Sequence, residues 1–574
     1  MVSNPEAGAA ATNPRATART LGLLLLLTLG ITLPFVNQAF HIDDPTFIAI
    51  AHQLARDPWR PYSFPTTWLG TAEPAFGVLA NPPLLPAYLA LVIAIVGEGE
   101  IQFHLAFIPI ALLAAWGVWR CAACFVRHPG TAAALYLATP AFVISSHTLM
   151  PDVGLMALTT HAVASFISGL RERRSGPVAL GGALAGLACL AKYNGLILFP
   201  LFAFAWWLYR RGNAYRLAWL LLPLGIVGAW SLHNIVVYGQ PHILAATALQ
   251  TSPLPWRWHI AKAIGTASYF GAVGLFPLAL PVIAWASPGM RTGLLVGVAI
   301  AAPLAVMTKG VFLQSVPITM ALLLFFTAFF VYLVAVAREL HGVSWRTLWQ
   351  GNGEGTALPF LLVCWLGTAL VFNQTLLFTA ARYLLPALLP ALLLLVRTLE
   401  QDRSAYGGLT PLRVTGILTL LLSLGLSVGD MQFADVGRSF VRSFSAQEGS
   451  QPPFWFVGRL GFQYYVERGG GRVLAADDTS PRPGDLLIIS QNSFPHVFDQ
   501  SVTRRLIRLK VVDVPSSWLL KTISRQAPAF FHANFITSPR PHVFVPYWVS
   551  LEPLDRIALY RVGAPQPDPV PGIR

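Results

Sequence analysis

Apolar runs separated by short polar connections fill the first three quarters of the chain, and their length rather than their period is what classifies them. Leu21 to Val36 opens the series, and further apolar stretches centre near residues 112, 138, 161, 184, 202, 227, 276, 300, 326, 366, 390 and 420. A hydrocarbon core of about 30 Å takes about 20 helical residues, so the expected fold class is mainly α: a polytopic helical membrane protein with about thirteen spans. Arg15 and Arg19 precede the first run, and no small-x-small cleavage site follows it, so it reads as a retained span. After Val428 the pattern changes, with Gly-Gly-Gly at 469 to 471 and Pro-Arg-Pro-Gly at 481 to 484. There Phe462 to Arg468 predicts a short helix, and Asp485 to Ile489, Leu506 to Val512, Val543 to Trp548 and Arg556 to Val562 predict strands. The expected organisation is a membrane module over 1–429 and a small α/β domain over 430–574.

Leu84 to Val96 is apolar but only about thirteen residues long, which at about 1.5 Å per residue covers roughly 20 Å. Charge decides its reading. If it does not cross, the arginines at 120, 127, 171, 173, 174, 210, 211, 216, 291, 338, 346, 397, 403 and 413 join Arg15 and Arg19 on one side, as the positive-inside rule requires of cytoplasmic loops. If it crosses, those clusters change sides and the rule fails. The segment is therefore expected to be re-entrant or interfacial, the N-terminus cytoplasmic, and the C-terminal domain extracytoplasmic, in the inner membrane of a cell. Arg56, Arg60, Lys192, Arg257, Lys262, Lys309 and Arg382 are left on the outer side.

Composition agrees with the pattern and narrows the function classes. Hydrophobic residues make up 55% of the 574 and charged residues 11%, with a mean hydropathy of +0.58, which excludes a water-soluble fold. The net charge of +14 does not indicate nucleic acid, because the basic residues lie in short clusters between apolar runs. The four cysteines make no disulfide framework, and Cys121-x-x-Cys124 lacks the partners of a zinc site. There is no nucleotide-binding glycine loop and no internal repeat.

Candidate chemistry gathers at the outer ends of the spans. The loop 37–103 is long for a connection. It opens on His41-Ile42-Asp43-Asp44-Pro45, where a helix from Pro45 to about Arg56 is expected to start at the two carboxylates. Phe47, Ile50, Ala51 and Leu54 would share one face of it, as in a helix lying along the membrane surface. Asp44 serves equally as a helix cap or as a proton acceptor for an incoming hydroxyl or amine. Asp152 follows Met150-Pro151 at an outer helix start, where dipole stabilisation alone would account for it. His41, His52 and His147 define no metal site by spacing, and no metal or cofactor is indicated. Lys192 in Lys-Tyr-Asn-Gly, Arg382 in Arg-Tyr, and Lys309 in Thr-Lys-Gly are either snorkelling cations or a phosphate-binding set.

With these motifs in order, the chain resembles the GT-C glycosyltransferases that use polyprenyl-phosphate sugars, especially the protein O-mannosyltransferases and the lipid A aminoarabinose transferases. His41-Ile42-Asp43-Asp44 with Ala51-x-x-Leu54 looks like the acidic motif of their first loop, and Asn81-Pro82-Pro83-Leu84 like their Lys-Pro-Pro-Leu. Met150-Pro151-Asp152 looks like the second acidic motif, Gly186 to Gly195 like Gly-Leu-Ala-x-Leu-Thr-Lys-Gly, and Arg382-Tyr-Leu-Leu-Pro386 like the matching late span. The resemblance covers roughly residues 20 to 400. It implies transfer of a sugar from a polyprenyl-phosphate donor to a glycan, lipid or protein acceptor, with inversion. It also implies roles: Asp43 as base, Asp44 and Asp152 orienting the substrates, and Lys192, Arg382 and Lys309 on the lipid phosphate. Where the aminoarabinose transferases carry Glu-Lys before Pro-Pro, this chain has Ala80 and Asn81.

Two other readings use the same residues. A transporter or flippase of an anionic lipid-linked substrate would also need many spans and outer cations, but would be expected to carry mid-membrane ionisable groups and repeated halves. A catalytically dead sensor would keep the fold and lose the chemistry.

Overall fold

The computed structural model describes residues 14–250, 255–312, 315–341, 343, 345–350, 357–401, 410–448, 454–525, 527, 529–534 and 544–564. The apolar runs are mainly helical, but they are not all single helices. Among the described residues nine are long and apolar enough to cross a membrane: Pro14–Phe35, Glu100–Ala122, Asp152–Arg171, Ala214–Tyr238, Pro288–Val306, Val316–His341, Ala357–Thr375, Ala381–Gln401 and Thr410–Ser445. Ser175–Ala191 and Tyr193–Leu208 are shorter apolar helices. The run near 138 is divided into Pro129–Leu137 and Pro140–Ser145, because Pro140 brings no N–H and biases Thr139 away from helix. The run near 276 is divided between Trp256–Val273 and Ala279–Ala286 by Gly-Leu-Phe-Pro at 274 to 277.

Asp152–Arg171 and Ala381–Gln401 are the two central helices, buried on nearly every side. Ser175–Ala191 lies tightly on the first of them at Gly181, where a Cβ would stand 2.9 Å from the Ala162 carbonyl oxygen. The ends of these central helices separate the charges. At one end Arg171 donates to the Cys124 carbonyl, Arg397 donates to the Phe125 carbonyl and pairs with Glu339, and the Arg127 and His128 amides donate to Glu400. Asp152 and Arg382 stand at the opposite end.

That opposite end carries the C-terminal domain. Arg438 donates to the Asn37 carbonyl just after the first span, Tyr464 donates to Glu98 at 2.8 Å, and Tyr465 donates to Glu100 at 2.9 Å. The chain therefore leaves the first span and enters Glu100–Ala122 at the same end, with no net crossing between them. Leu84–Val96, thirteen residues long, packs against Asp44–Arg56 within this loop. The face of Asp44–Arg56 expected to lie on a membrane is instead covered by protein. Phe47 and Ala51 pack with Leu85, Leu89 and Phe462, while Ile50 and Leu54 pack with Tyr62 and Phe76.

The long helix Thr410–Glu448 runs unbroken through residue 430, because its apolar span gives way to a segment whose inner side packs on Leu460–Arg468. Beyond it, five strands order as Arg472–Val473, Trp455–Val457, Leu486–Ser490, Asp555–Val562 and Leu506–Val514. The first three are parallel, and Asp555–Val562 runs antiparallel between its two neighbours. Four of the expected elements are thus present; of Val543 to Trp548, residue 543 lies outside the described residues, and the strand there is Trp548–Val549.

Candidate functional site

The turn His41 to Asp44 is built by a residue that resists it. Ile42 has φ of +50°, a left-handed conformation that costs a β-branched residue of order 1–3 kcal/mol. The turn points the two aspartates in different directions. Neither side chain caps Asp44–Arg56, contrary to the capping expectation. Asp44 is fully buried and accepts from the His41 amide at 2.9 Å and from the Leu149 amide at 2.8 Å. Burial pushes its carboxyl up to about 7, and the two amides only partly offset this. It ties the first loop to the segment before Asp152.

Asp43 points the other way and meets Arg382, whose Nη2 donates to Oδ2 at 2.9 Å. The Nε of the same guanidinium stands 3.7 Å from Asp152 Oδ2. Lys192 Nζ donates to the other Asp152 oxygen at 2.7 Å. The order is therefore Asp43, Arg382, Asp152, Lys192, with alternating sign and no net formal charge. Tyr383 lies beneath both cations, its ring centroid 4.2 Å from Lys192 Nζ and 5.0 Å from the Arg382 guanidinium carbon. Side-chain exposure is 27% for Asp43 but only 2–6% for the other three, so the row opens to solvent at Asp43.

Each partner is held by its backbone. Lys192 is extended between Ser175–Ala191 and the turn Tyr193–Ile197. The chain can fold back there because residue 195 is glycine: a Cβ would sit 2.6 Å from the Ala188 carbonyl carbon. Arg382 is set by the C-terminal domain. The Ala381 amide donates to the Phe531 carbonyl, the Asn534 amide donates to the Thr379 carbonyl, and Arg382 Nη1 donates to the His532 carbonyl at 2.9 Å.

Asp43, Asp152, Lys192 and Arg382 are thus brought together, with Asp44 behind them. Lys309 belongs to Pro288–Phe312, but its side chain, like that of Arg257, lies outside the described residues. Lys262 is elsewhere, donating to the carbonyls of Asn373 and Leu376. The Asn81 carbonyl accepts from Tyr62 at 2.7 Å within the first loop. Two features were not read from the sequence. Tyr383 was visible only as Arg382's neighbour, and His532 sits in a domain with no motif to mark it. His41, which spacing alone did not single out, meets His532 and Asp430 in a buried cluster.

The arrangement can supply an accessible carboxylate beside two buried cations with donors to spare, since guanidinium carries five N–H groups and ammonium three. Residues 80–233 match the model of the family described as dolichyl-phosphate-mannose-protein mannosyltransferase. That stretch contains Asn81-Pro82-Pro83, Asp152 and Lys192, and over it the match bears out the resemblance read from the motifs. No match was found among curated proteins. Among solved structures, the chain is similar to ArnT from Cupriavidus metallidurans in the apo state, at 13% identity and a TM-score of 0.41, covering 96% of this chain and 100% of that one. The same protein bound to undecaprenyl phosphate gives 14%, 0.40, 96% and 100%. The arabinofuranosyltransferase AftD from Mycobacteria gives 13% and 0.44, covering 97% of this chain and 40% of that one.

Proposed function

We propose that the chain is an integral membrane glycosyltransferase that moves a sugar from a polyprenyl-phosphate donor to an envelope glycan, lipid or protein acceptor. The observation that supports this reading best is the alternating row from Asp43 to Lys192, exposed at its carboxylate end and buried at its cations. The matched stretch 80–233 adds to it, since it contains Asp152 and Lys192. The charge pattern of the loops supports a row at the outer face of a cell membrane, with the N-terminus in the cytoplasm.

In this reading an acceptor hydroxyl or amine reaches Asp43, which takes its proton as the acceptor atom bonds to the anomeric carbon. The bond from that carbon to the phosphate oxygen breaks at the same time. The electron pair leaves with the polyprenyl phosphate, which gains one negative charge, and the sugar inverts. Lys192 and Arg382 are placed to offset that charge, and burial strengthens the effect. Asp152 holds both cations in position. The donor is the energy source, so no nucleotide is consumed.

The test is sugar transfer by the full chain in lipid discs, using a panel of radiolabelled polyprenyl-phosphate sugars and membrane-envelope acceptors. Asp43→Asn is expected to lower transfer at least about 100-fold with an unchanged melting temperature. Full turnover by that variant would remove Asp43 as the base. Failure of the wild type with the whole panel would remove the transferase reading.

A further inference from the structure

Behind the row lies a second polar cluster that the transfer chemistry does not use. His41 Nε2 and His532 Nε2 are 3.3 Å apart. His532 Nε2 is 2.8 Å from Asp430 Oδ1, and His41 Nε2 is 3.4 Å from Oδ1 and 3.3 Å from Oδ2 of the same carboxylate. All three residues are buried, and they come from the turn after the first span, the long helix Thr410–Glu448 and the segment following Ala529–Phe530. Phe433 packs edge-on against His41, and Phe530 and Phe531 pack against His532, so the cluster is walled by aromatic rings.

Hydrogen bonding alone serves this geometry poorly. Each Nε2 carries at most one hydrogen. With both protonated, two N–H groups crowd one another at a single carboxylate. With one bare, its lone pair faces the carboxylate oxygens. A cation removes the conflict, because all three atoms can then present lone pairs to it. Two of the three spacings also suit one: donors bound at about 2.0–2.1 Å in a tetrahedron lie about 3.3–3.4 Å from each other, as His41 Nε2 does from His532 Nε2 and from Asp430, while the 2.8 Å between His532 Nε2 and Asp430 Oδ1 would open by about half an ångström on binding. Two imidazoles and one carboxylate form a donor set that suits zinc over calcium or magnesium.

We propose that His41, Asp430 and His532 bind one divalent transition-metal ion of the zinc class, which fastens the first loop and the C-terminal domain to the long helix. The ion acts on the transfer site by positioning. His41 is two residues before Asp43, and the carbonyl of His532 accepts from Arg382, so the ion fixes both members of the Asp43 to Arg382 pair from behind.

The test needs neither donor nor acceptor, so its failure is distinct from failure of the transferase reading. Full-length protein, purified without chelator and then dialysed against zinc, is expected to hold about one equivalent more zinc than His532→Ala. Cobalt supplied to stripped protein should give the visible bands of a tetrahedral site, absent in His532→Ala and present in a His52→Ala control. Zinc returned to stripped wild type should raise its melting temperature, a readout that does not depend on the variant folding. Equal zinc content in wild type and His532→Ala, or no cobalt band and no thermal shift in wild type, overturns the site.

Discussion

Arg382 donates to Asp43 at 2.9 Å across 339 positions of sequence, and its Nε stands 3.7 Å from Asp152. One guanidinium thereby joins the first loop to a central helix, while its own backbone is held by the C-terminal domain. Lysine in its place keeps the charge but has no planar fork to reach two carboxylates. Arg382→Lys is expected to lose transfer by about 100-fold or more while retaining most of its stability. Arg382→Ala is expected to lose both, by about 2–3 kcal/mol in stability, because the charge-assisted bonds to Asp43 and the His532 carbonyl are lost while Asp152 keeps Lys192. Turnover together with thermal unfolding separates the two outcomes, and wild-type turnover by Arg382→Lys would show that charge alone matters.

The Lys192 to Asp152 pair is almost wholly buried, so its members depend on each other. Lys192→Met and Asp152→Leu are each expected to destabilise by about 3–5 kcal/mol. The double variant is expected to recover part of that loss without recovering transfer. A double-mutant cycle on unfolding measures the coupling, and additive single effects would contradict it.

Asp555 begins a central strand of the C-terminal sheet and is buried, accepting from Ser490 and from the amides of Asn492 and Arg556. Burial raises its carboxyl above the usual 3.8, and these bonds lower it only in part. The folded state therefore holds its proton more tightly than the unfolded chain. The resulting contribution to stability is complete below 3.8 and is lost as pH rises through the folded value. Relative to Asp555→Asn, the wild type should lose melting temperature on going from acid towards neutral pH. Parallel curves for the two proteins would contradict this.

Glu98 lies against Tyr464 and Arg468, so the short apolar helix before it ends on the side of the C-terminal domain. Single cysteines at Glu98 and Ser480 are both expected to react with an impermeant thiol reagent from outside the cell. A cysteine at Arg174 is expected to react only after permeabilisation. Glu98 labelled with Arg174 rather than with Ser480 would overturn the shared side.

Fold class and the order of the motifs were legible because bilayer thickness sets the length of an apolar run and arginine counts set its direction. Both are local properties. The positions of Asp43, Asp152, Lys192 and Arg382 could be read in the same way, each at a break between apolar stretches. Where runs near 138 and 276 split was less legible, since a composition window averages over Pro140 and over Gly274 to Pro277.

The pairings belong to the tertiary structure alone. Sequence put two aspartates side by side, but the left-handed turn at Ile42 sends Asp43 to Arg382 and buries Asp44 against the amides of His41 and Leu149. Nor does any local signal link His41 with Asp430 and His532, which lie 389 and 491 residues away from it. Hydrophobicity is additive along a chain and survives without knowledge of its neighbours. Electrostatic pairing depends on distances of a few ångströms between segments far apart in sequence, and only the packed helices and the docked domain decide those.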